Sequence, residues 1–184
     1  VPFAVETAAD RPFEEKPWSE DGRCSIITVS TYERRKRLPL LIQSIAEVAG
    51  RCDIHLDVYG AGAHDSNPEY QSCCDTIADC ALDAHVSLHG EVPNARIRRR
   101  IYDADLFVLP SVQEPASYSQ LEAMAEGVPV ICTESNGTAG YVDHQRSGMV
   151  IKPDSIGALT DAIESYCEER TVPVAAGRVG RDIA

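Results

Sequence analysis

Aromatic residues are scarce in this sequence: three Phe, one Trp and seven Tyr make up 6% of its 184 positions. Cysteines spaced as C-x-x-C are absent, which excludes the common zinc-ribbon ligand set. The seven cysteines, Cys24, Cys52, Cys73, Cys74, Cys80, Cys132 and Cys167, are odd in number and do not form a complete internal disulfide framework. Cys132 lies in the apolar run VPVIC and reads as a small core residue, and the adjacent Cys73 and Cys74 read as free thiols. His55, His64, His85, His89 and His144 show no ligand spacing, so no metal is assigned. Cations are also in deficit. Seventeen Lys and Arg stand against 29 Asp and Glu, a net charge of −12. That charge repels a polyanion over most of the surface and excludes general nucleic-acid binding. No apolar run approaches the ~18–20 residues that span a bilayer. No basic, then apolar, start marks a signal peptide. The missing initial Met reads as a chain that begins inside a longer protein.

What remains is ordinary globular material, 43% hydrophobic and 25% charged, of one-domain length. Short apolar runs alternate with helical patterns, which predicts an α/β fold with a parallel sheet. Strands are expected at Ile26–Ser30, Ile54–Tyr59, Val86–Leu88, Leu106–Leu109, Val130–Cys132 and Met149–Ile151. The run Leu106–Leu109 is apolar throughout, as befits a strand covered on both faces. Leu38, Leu41, Ile42, Ile45 and Val48 recur at helical spacing, with Pro39 suited to a first turn. Further helices are expected over Pro68 to about Ala81, Ile97–Ala104, Ser119–Glu126 and Ser155–Cys167. Residues 1–22, rich in proline and acids, read as linker. Residues 23–170 form the folded domain, and 171–184 begin a helical segment that the chain does not finish.

In an open α/β sheet, ligands bind beyond the carboxyl ends of the strands. After the first strand come four cations, Arg34, Arg35, Lys36 and Arg37. After Leu109 comes PSVQEPASYSQLEAMAEG, in which a loop leads into a helix beginning near Ser117–Ser119. The first amides of such a helix lack internal partners and carry partial positive charge, which suits a phosphate. Glu114 lies before that helix and Glu122 on it, seven residues intervening, so both can border one crevice. A carboxylate there makes strong hydrogen bonds to sugar and ribose hydroxyls. After Ile131 comes a third loop, TESNGTAG. Blander readings compete. Ser119-Gln120-Leu121-Glu122 spells a capping box, in which Glu122 only stabilises a helix start. Lys36 by itself is an exposed lysine. Arg96, Arg98, Arg99 and Arg100 read as one solvated helix face.

The stretch E-P-A-S-Y-S-Q-L-E-A-M-A-E-G-V-P-V-I resembles the E-x7-E region of retaining GT-B glycosyltransferases of the family 4, or group 1, type. V-S-T-Y-E-R-R-K resembles that family's V-G-R-L-x-x-x-K, with Lys36 on the motif lysine. Val58–Gly62, Val86–Val92 and Ser147–Val150 resemble its other strand ends, and Val1–Glu6 resembles its interdomain linker.

The resemblance implies the C-terminal half of a GT-B fold, a Rossmann-like parallel sheet sandwiched by helices, with 23–170 binding a nucleotide-sugar. Such a protein transfers a sugar from a nucleotide-diphospho-sugar, UDP-sugar being the first choice, to a glycan or lipid acceptor with retention of configuration. Glu114 would contact the transferred sugar and Glu122 the ribose. Lys36 would bind the diphosphate, with Thr31, Arg34 and Arg35 beside it as further donor-binding residues and the amides at Ser117, Tyr118 and Ser119 completing the cradle. Gly90 and Val92 would line the base. No metal or other cofactor is implied. The other partner is an acceptor-binding domain lying before Val1, without which the chain is expected to bind donor but transfer no sugar. A cytoplasmic location is implied, with contact to the inner membrane face only in the full-length form. Three departures stand out. Thr31 replaces the family's phosphate arginine, leaving Arg34 or Arg35 to supply that charge. Arg37 replaces a glycine after the lysine. Pro115 and Ser117 replace glycines before the helix. The alternatives are a GT-B-fold UDP-sugar epimerase, a non-catalytic nucleotide-binding or interaction module of flavodoxin-like form, and an NAD-binding domain. Against the last, Ser30-Thr31-Tyr32 stands where G-x-G-x-x-G would begin.

Overall fold

The structure is a computed structural model that describes residues 22–143 and 147–168. The expected linker, apart from Gly22, and the expected closing segment at 171–184 lie outside the described residues, as does His144.

Apolar runs flanked by turn residues become six strands: β1 Cys24–Val29, β2 Ile54–Tyr59, β3 Val86–Leu88, β4 Leu106–Leu109, β5 Val130–Thr133 and β6 Gly148–Ile151. Five helices connect or follow them: α1 Leu38–Ala49, α2 Pro68–Asp79, α3 Asn94–Asp103, α4 Tyr118–Ala125 and α5 Ile156–Glu168. All strand pairs are parallel, in the order β3-β2-β1-β4-β5-β6. The expected Rossmann-like architecture is therefore present. The chain winds outward from β1 to β3, then returns to β4 on the other side of β1. The reversal leaves a crevice at the carboxyl ends of β1 and β4, the switch point where such sheets bind ligands.

Strand periodicity divides the core in two, because successive side chains point to opposite faces. Ile26, Leu106 and Val108 join α1, α2 and α5 through Leu38, Ile42, Cys73, Leu159 and Tyr166. Ile27, Phe107 and Leu109 join α3 and α4 through Ile97, Ile101, Leu121 and Met124. All four residues of β4 are buried, which is why that strand carries no polar alternation. Each such Leu, Ile or Phe contributes roughly 1.5–3 kcal/mol on burial. No helix among the described residues is long and apolar enough to cross a membrane.

The differences from the sequence reading are at boundaries. Helix α3 starts at Asn94, three residues before the first apolar position, because Pro93 occupies its N-cap and the first turn is solvent-facing. Helix α2 stops at Asp79, and Ala81 turns the chain at φ 54°. Asn67 caps α2, its side chain accepting from the Glu69 and Tyr70 amides. The capping box at Ser119–Glu122 is not formed. Ser117 caps α4 instead, its hydroxyl accepting from the Gln120 amide, while the Ser119 hydroxyl donates to the Val29 carbonyl at the end of β1. Glu122 therefore sits beyond the first turn, where it cannot close the cap.

Gly148 opens β6 so close to β5 that a Cβ would stand 2.0 Å from the Val130 carbonyl oxygen. Gly157, in α5, has open space around the same position. Gly148→Ala is expected to lower stability by about 1–3 kcal/mol through forced backbone shifts. Gly157→Ala is expected to raise it by about 0.5–1 kcal/mol. Chemical denaturation of both variants checks the pair. Equal effects would show that the β5–β6 spacing is slack.

Candidate active site

The basic loop after β1 is a short 3-10 turn, Arg34–Lys36, followed directly by α1. Two of its cations turn inward. The Lys36 ammonium donates to Glu114 Oε2 and is itself buried, at 8% exposure. Arg35 donates from Nη1 to the same oxygen at 2.6 Å and from Nε to Glu33 at 2.9 Å. Glu114, 6% exposed, is thus an almost fully buried carboxylate between two cations, as a buried charge requires. The reading of Lys36 as an exposed lysine is corrected by this contact: a lysine that must neutralise a buried carboxylate follows it inward.

The departures from the family pattern now have a structure. The Thr31 hydroxyl donates to Glu33 at 2.6 Å and the Arg35 guanidinium grips the other carboxylate oxygen. These two hydrogen bonds, Thr31's the larger influence, hold the Glu33 carboxyl below its ordinary range. Arg35, not the exposed Arg34, is the cation carried to Glu114. Arg37 has φ 56° and ψ 35°, the left-handed conformation that a glycine adopts freely. Its guanidinium fork is fixed by Asp154, with Nε to Oδ1 at 2.6 Å and Nη2 to Oδ2 at 3.3 Å. Gln113, the residue before Glu114, is also left-handed at φ 54°. Backbone strain of this kind gathers at functional sites.

Glu114 is held from the other side by the loop between β5 and β6. Its amide donates to the Ser135 carbonyl at 3.2 Å, and its carbonyl accepts from the Gly137 amide at 2.7 Å. Gly137 is required by this approach, since a Cβ would lie 2.0 Å from the Pro115 carbonyl oxygen. Behind it runs a buried amide network. Asn136 Nδ2 donates to Gln120 Oε1 at 2.6 Å, and Gln120 Nε2 donates to the Thr138 carbonyl at 3.0 Å. The Thr138 amide and hydroxyl both donate to Asn136 Oδ1. The sequence marks the loop after β5 but gives no site role to Gln120, Asn136 or Thr138. Gln120 looks like a surface residue of an amphipathic helix, and its partners lie 16 and 18 positions away.

The other expected site residues occupy the same end of the sheet. Ser117, Tyr118 and Ser119 form the start of α4, tied to β1 by the Ser119–Val29 bond. Tyr118 is 62% exposed there, a large apolar side chain in water. Gly90 and Val92 follow β3 in the loop leading to α3, Gly90 exposed and Val92 packed on the second core. The loop is anchored by His89. Its ring stacks on Tyr59 with centroids 4.2 Å apart and 9° between planes, and its Nε2 meets Asp57 Oδ1 at 2.6 Å. Glu122 is not drawn into the Lys36–Arg35–Glu114 cluster. It is half-buried on α4, and burial first, then Glu126, raises its carboxyl above the usual range, with Arg98 opposing. Arg98 itself pairs with Glu126 at 3.3 Å, while Arg99 bonds Asp103, so the basic run on α3 is a charged helix face in part bound to α4. Among the described residues no group of His, Cys, Asp and Glu is arranged to hold a metal.

Residues 10–182 match the family described as glycosyl transferases group 1. The chain belongs to that family. Among its relatives is a Bacillus subtilis protein named as the teichuronic acid biosynthesis glycosyltransferase TuaC. It is 44% identical over 82 residues, which cover 44% of this chain and 21% of that protein. The GDP-mannose-dependent alpha-(1-6)-phosphatidylinositol monomannoside mannosyltransferase of Mycobacterium tuberculosis is 27% identical over 196 residues, covering 99% of this chain and 50% of its own. The crystal structure of Anabaena HepE in complex with UDP and glucose superposes with a TM-score of 0.80 at 19% identity, over 88% of this chain and 43% of that one. That likeness carries the fold. The chain spans half or less of the length of these proteins.

Two outcomes follow from the site's electrostatics. Lys36→Met is expected to lower stability by about 1–3 kcal/mol, less than the loss of a sole partner because Arg35 still holds Glu114. A change within about 0.5 kcal/mol in urea denaturation, the usual size for a surface lysine, would refute the buried pair. Glu122 has the opposite sign. Its folded pKa is raised above the unfolded value, so its stabilising contribution belongs to low pH and is lost as pH rises through the folded pKa. Glu122→Gln is therefore expected to raise Tm at pH 7, with the gain shrinking as pH falls into the carboxylate range. A gain that persists unchanged at low pH would show that charge is not the cause.

Proposed function

We propose that the chain is the donor-binding half of a retaining glycosyltransferase that takes its sugar from a nucleotide-diphospho-sugar. The observation that carries this reading is the buried Glu114 carboxylate clamped by Lys36 and Arg35 beside the start of α4. An anionic diphosphate arriving at the helix amides competes for both cations. Glu114, released in the same exchange, turns its acceptor oxygens to the hydroxyls of the transferred sugar. As the bond from the anomeric carbon to the diphosphate oxygen breaks, its electron pair goes to that oxygen. Lys36, Arg35 and the α4 amides then face growing negative charge, which is where fixed donors lower a barrier most. The buried hydroxyls of Ser30 and Ser111, just beyond β1 and β4, have no hydrogen-bond partner among the described residues. A bound polar ligand in that crevice would relieve a cost of about 1–3 kcal/mol each.

Ribose falls to Glu122 and the base to the Gly90–Val92 loop. UDP is our first choice of nucleotide, the one present in the HepE complex, and GDP is the competitor, named for the Mycobacterium tuberculosis enzyme. The acceptor, a glycan or lipid, would be held by a second domain. The cytoplasmic location and a metal-independent reaction belong to the same reading.

Thermal shift and calorimetry with UDP, GDP, UDP-sugars, GDP-mannose and NAD, each in excess EDTA, test it. One nucleotide diphosphate at about 100 times its Kd is expected to add ~2.7 kcal/mol of stability. Arg35→Ala should weaken that binding by about 1.5–3 kcal/mol and Arg34→Ala by less. Binding of NAD alone, or loss of binding on chelation, would sink the proposal.

A further inference from the structure

The opposite end of the strands holds a chemistry that the proposed transfer reaction does not use. At the amino end of β1 and β2 lies a cleft of about 320 Å³ lined by Cys24, Cys52 and Cys167 together with Arg51, Asp53 and Glu168. Three of the seven cysteines thus converge from three separate elements: β1, the turn before β2 and the end of α5. All are free thiols; Cys24 and Cys167 are buried and Cys52 is partly exposed. Cys24 and Cys167 belong to one core cluster, and Cys52 packs against it, so the three side chains meet at the floor of one cleft. Arg51, next to Cys52, bonds Glu164 on α5, with Nη2 to Oε2 at 2.9 Å, and so keeps the Cys52 turn against the helix that carries Cys167.

We propose that this cluster is a disulfide-forming site that takes hydrogen peroxide as its oxidant, with Cys52 as the entry thiol and Cys167 as the thiol that closes the bond. The Cys52 sulfur attacks one peroxide oxygen. The O–O bond breaks, Cys52 becomes a sulfenic acid and the first water leaves. The Cys167 sulfur then displaces the hydroxyl from Cys52, forming the S–S bond and releasing a second water. Two thiols are oxidised by one electron each and one hydrogen peroxide is reduced by two. Cys24, which lines the same cleft, exchanges into the bond by attacking the Cys167 sulfur and returning the electron pair and proton to Cys52. The end of α5 is then tied to the sheet in either product.

The chemistry sets the pace. Hydrogen bonding to Cys167 and burial push the Cys24 thiol well up, and burial pushes Cys52 up. The charged groups facing the cluster are Arg51, Asp53, Asp105, Glu164 and Glu168. The thiolate is the nucleophile, so closure is slow near neutrality and quickens as pH rises.

The test treats the reduced intact protein with hydrogen peroxide, quenches with an alkylating agent and maps peptides without reduction. A cross-link from Cys167 to Cys52 or Cys24 is expected before any cross-link at Cys73, Cys74 or Cys132. A Tm rise of roughly 5–10 °C, reversed by dithiothreitol, should accompany it, because the bond closes a long loop. Cys52→Ser should slow the cross-link at least tenfold, and Cys167→Ser should abolish it. Oxidation confined to the exposed Cys80, with no cross-link to Cys167, overturns the proposal. An unchanged rate in Cys52→Ser overturns Cys52 as the entry thiol.

Discussion

The site depends on one carboxylate being kept charged out of water. Glu114 is buried, and an ionised carboxylate cannot remain there unpaired. Lys36 and Arg35 satisfy it from the β1 side, and the Ser135 and Gly137 backbone fixes its main chain from the β5 side. The loops after β1, β4 and β5 thereby become one body. The Val112 amide, donating to the Arg35 carbonyl at 2.7 Å, closes the same joint through the backbone. Loops are normally the looser part of a fold. Here the three that border the crevice are cross-bonded by charge and backbone, with an amide network of Gln120, Asn136 and Thr138 behind them.

That arrangement accounts for the chain's departures from its family. Where glycine would give a free turn, this sequence uses side chains to hold the turn. Arg37 tolerates a left-handed backbone because Asp154 takes its guanidinium in a fork. Ser117, in place of a glycine, adopts an extended conformation at φ −109° and uses its hydroxyl to cap α4. Thr31, in place of an arginine, orients Glu33, and Glu33 steers Arg35 to Glu114. One lost cation is thus answered by another four positions on, at the cost of a second carboxylate to aim it.

The fold was legible because its signals are local. Each strand is an apolar run ended by turn residues, and each helix has its apolar stripe. Errors were confined to ends such as Asn94, where a polar first turn leaves no periodic mark. The candidate site was legible as a set of loops and as a motif, since Glu114, Glu122 and Lys36 lie at recognisable spacings. What could not be read was pairing at a distance. Glu114 and Lys36 are 78 positions apart, and nothing in either neighbourhood says that the lysine is buried. The choice between Arg34 and Arg35 is of the same kind, because adjacent residues on a tight turn point in different directions. The capping box fails for the same reason: Ser117 and Ser119 both offer a hydroxyl, and the one that starts the helix is decided by Val29, 90 positions away, which accepts the other.

The electrostatics of the Glu114 cluster also bear on which ligands the crevice can admit. Lys36 and Arg35 are already engaged, so a ligand gains from them only if it supplies enough charge to replace a carboxylate. A neutral nucleoside cannot do so, and its entry would leave the Glu114 pair intact and the α4 amides without an anion. In the function proposed above, a diphosphate would bring two charged groups, one for the cations and one for the helix start, and would free Glu114 to accept hydrogen bonds from the attached sugar. Such an exchange would link recognition of the phosphates to positioning of the sugar, the carboxylate that cross-links the loops becoming the one that orients the substrate. Glu122 contributes in the reverse sense. Burial next to Glu126 makes its charge unfavourable in the free chain. Hydroxyl donors from a ribose would stabilise that charge, so the site carries a cost that ligand binding offsets.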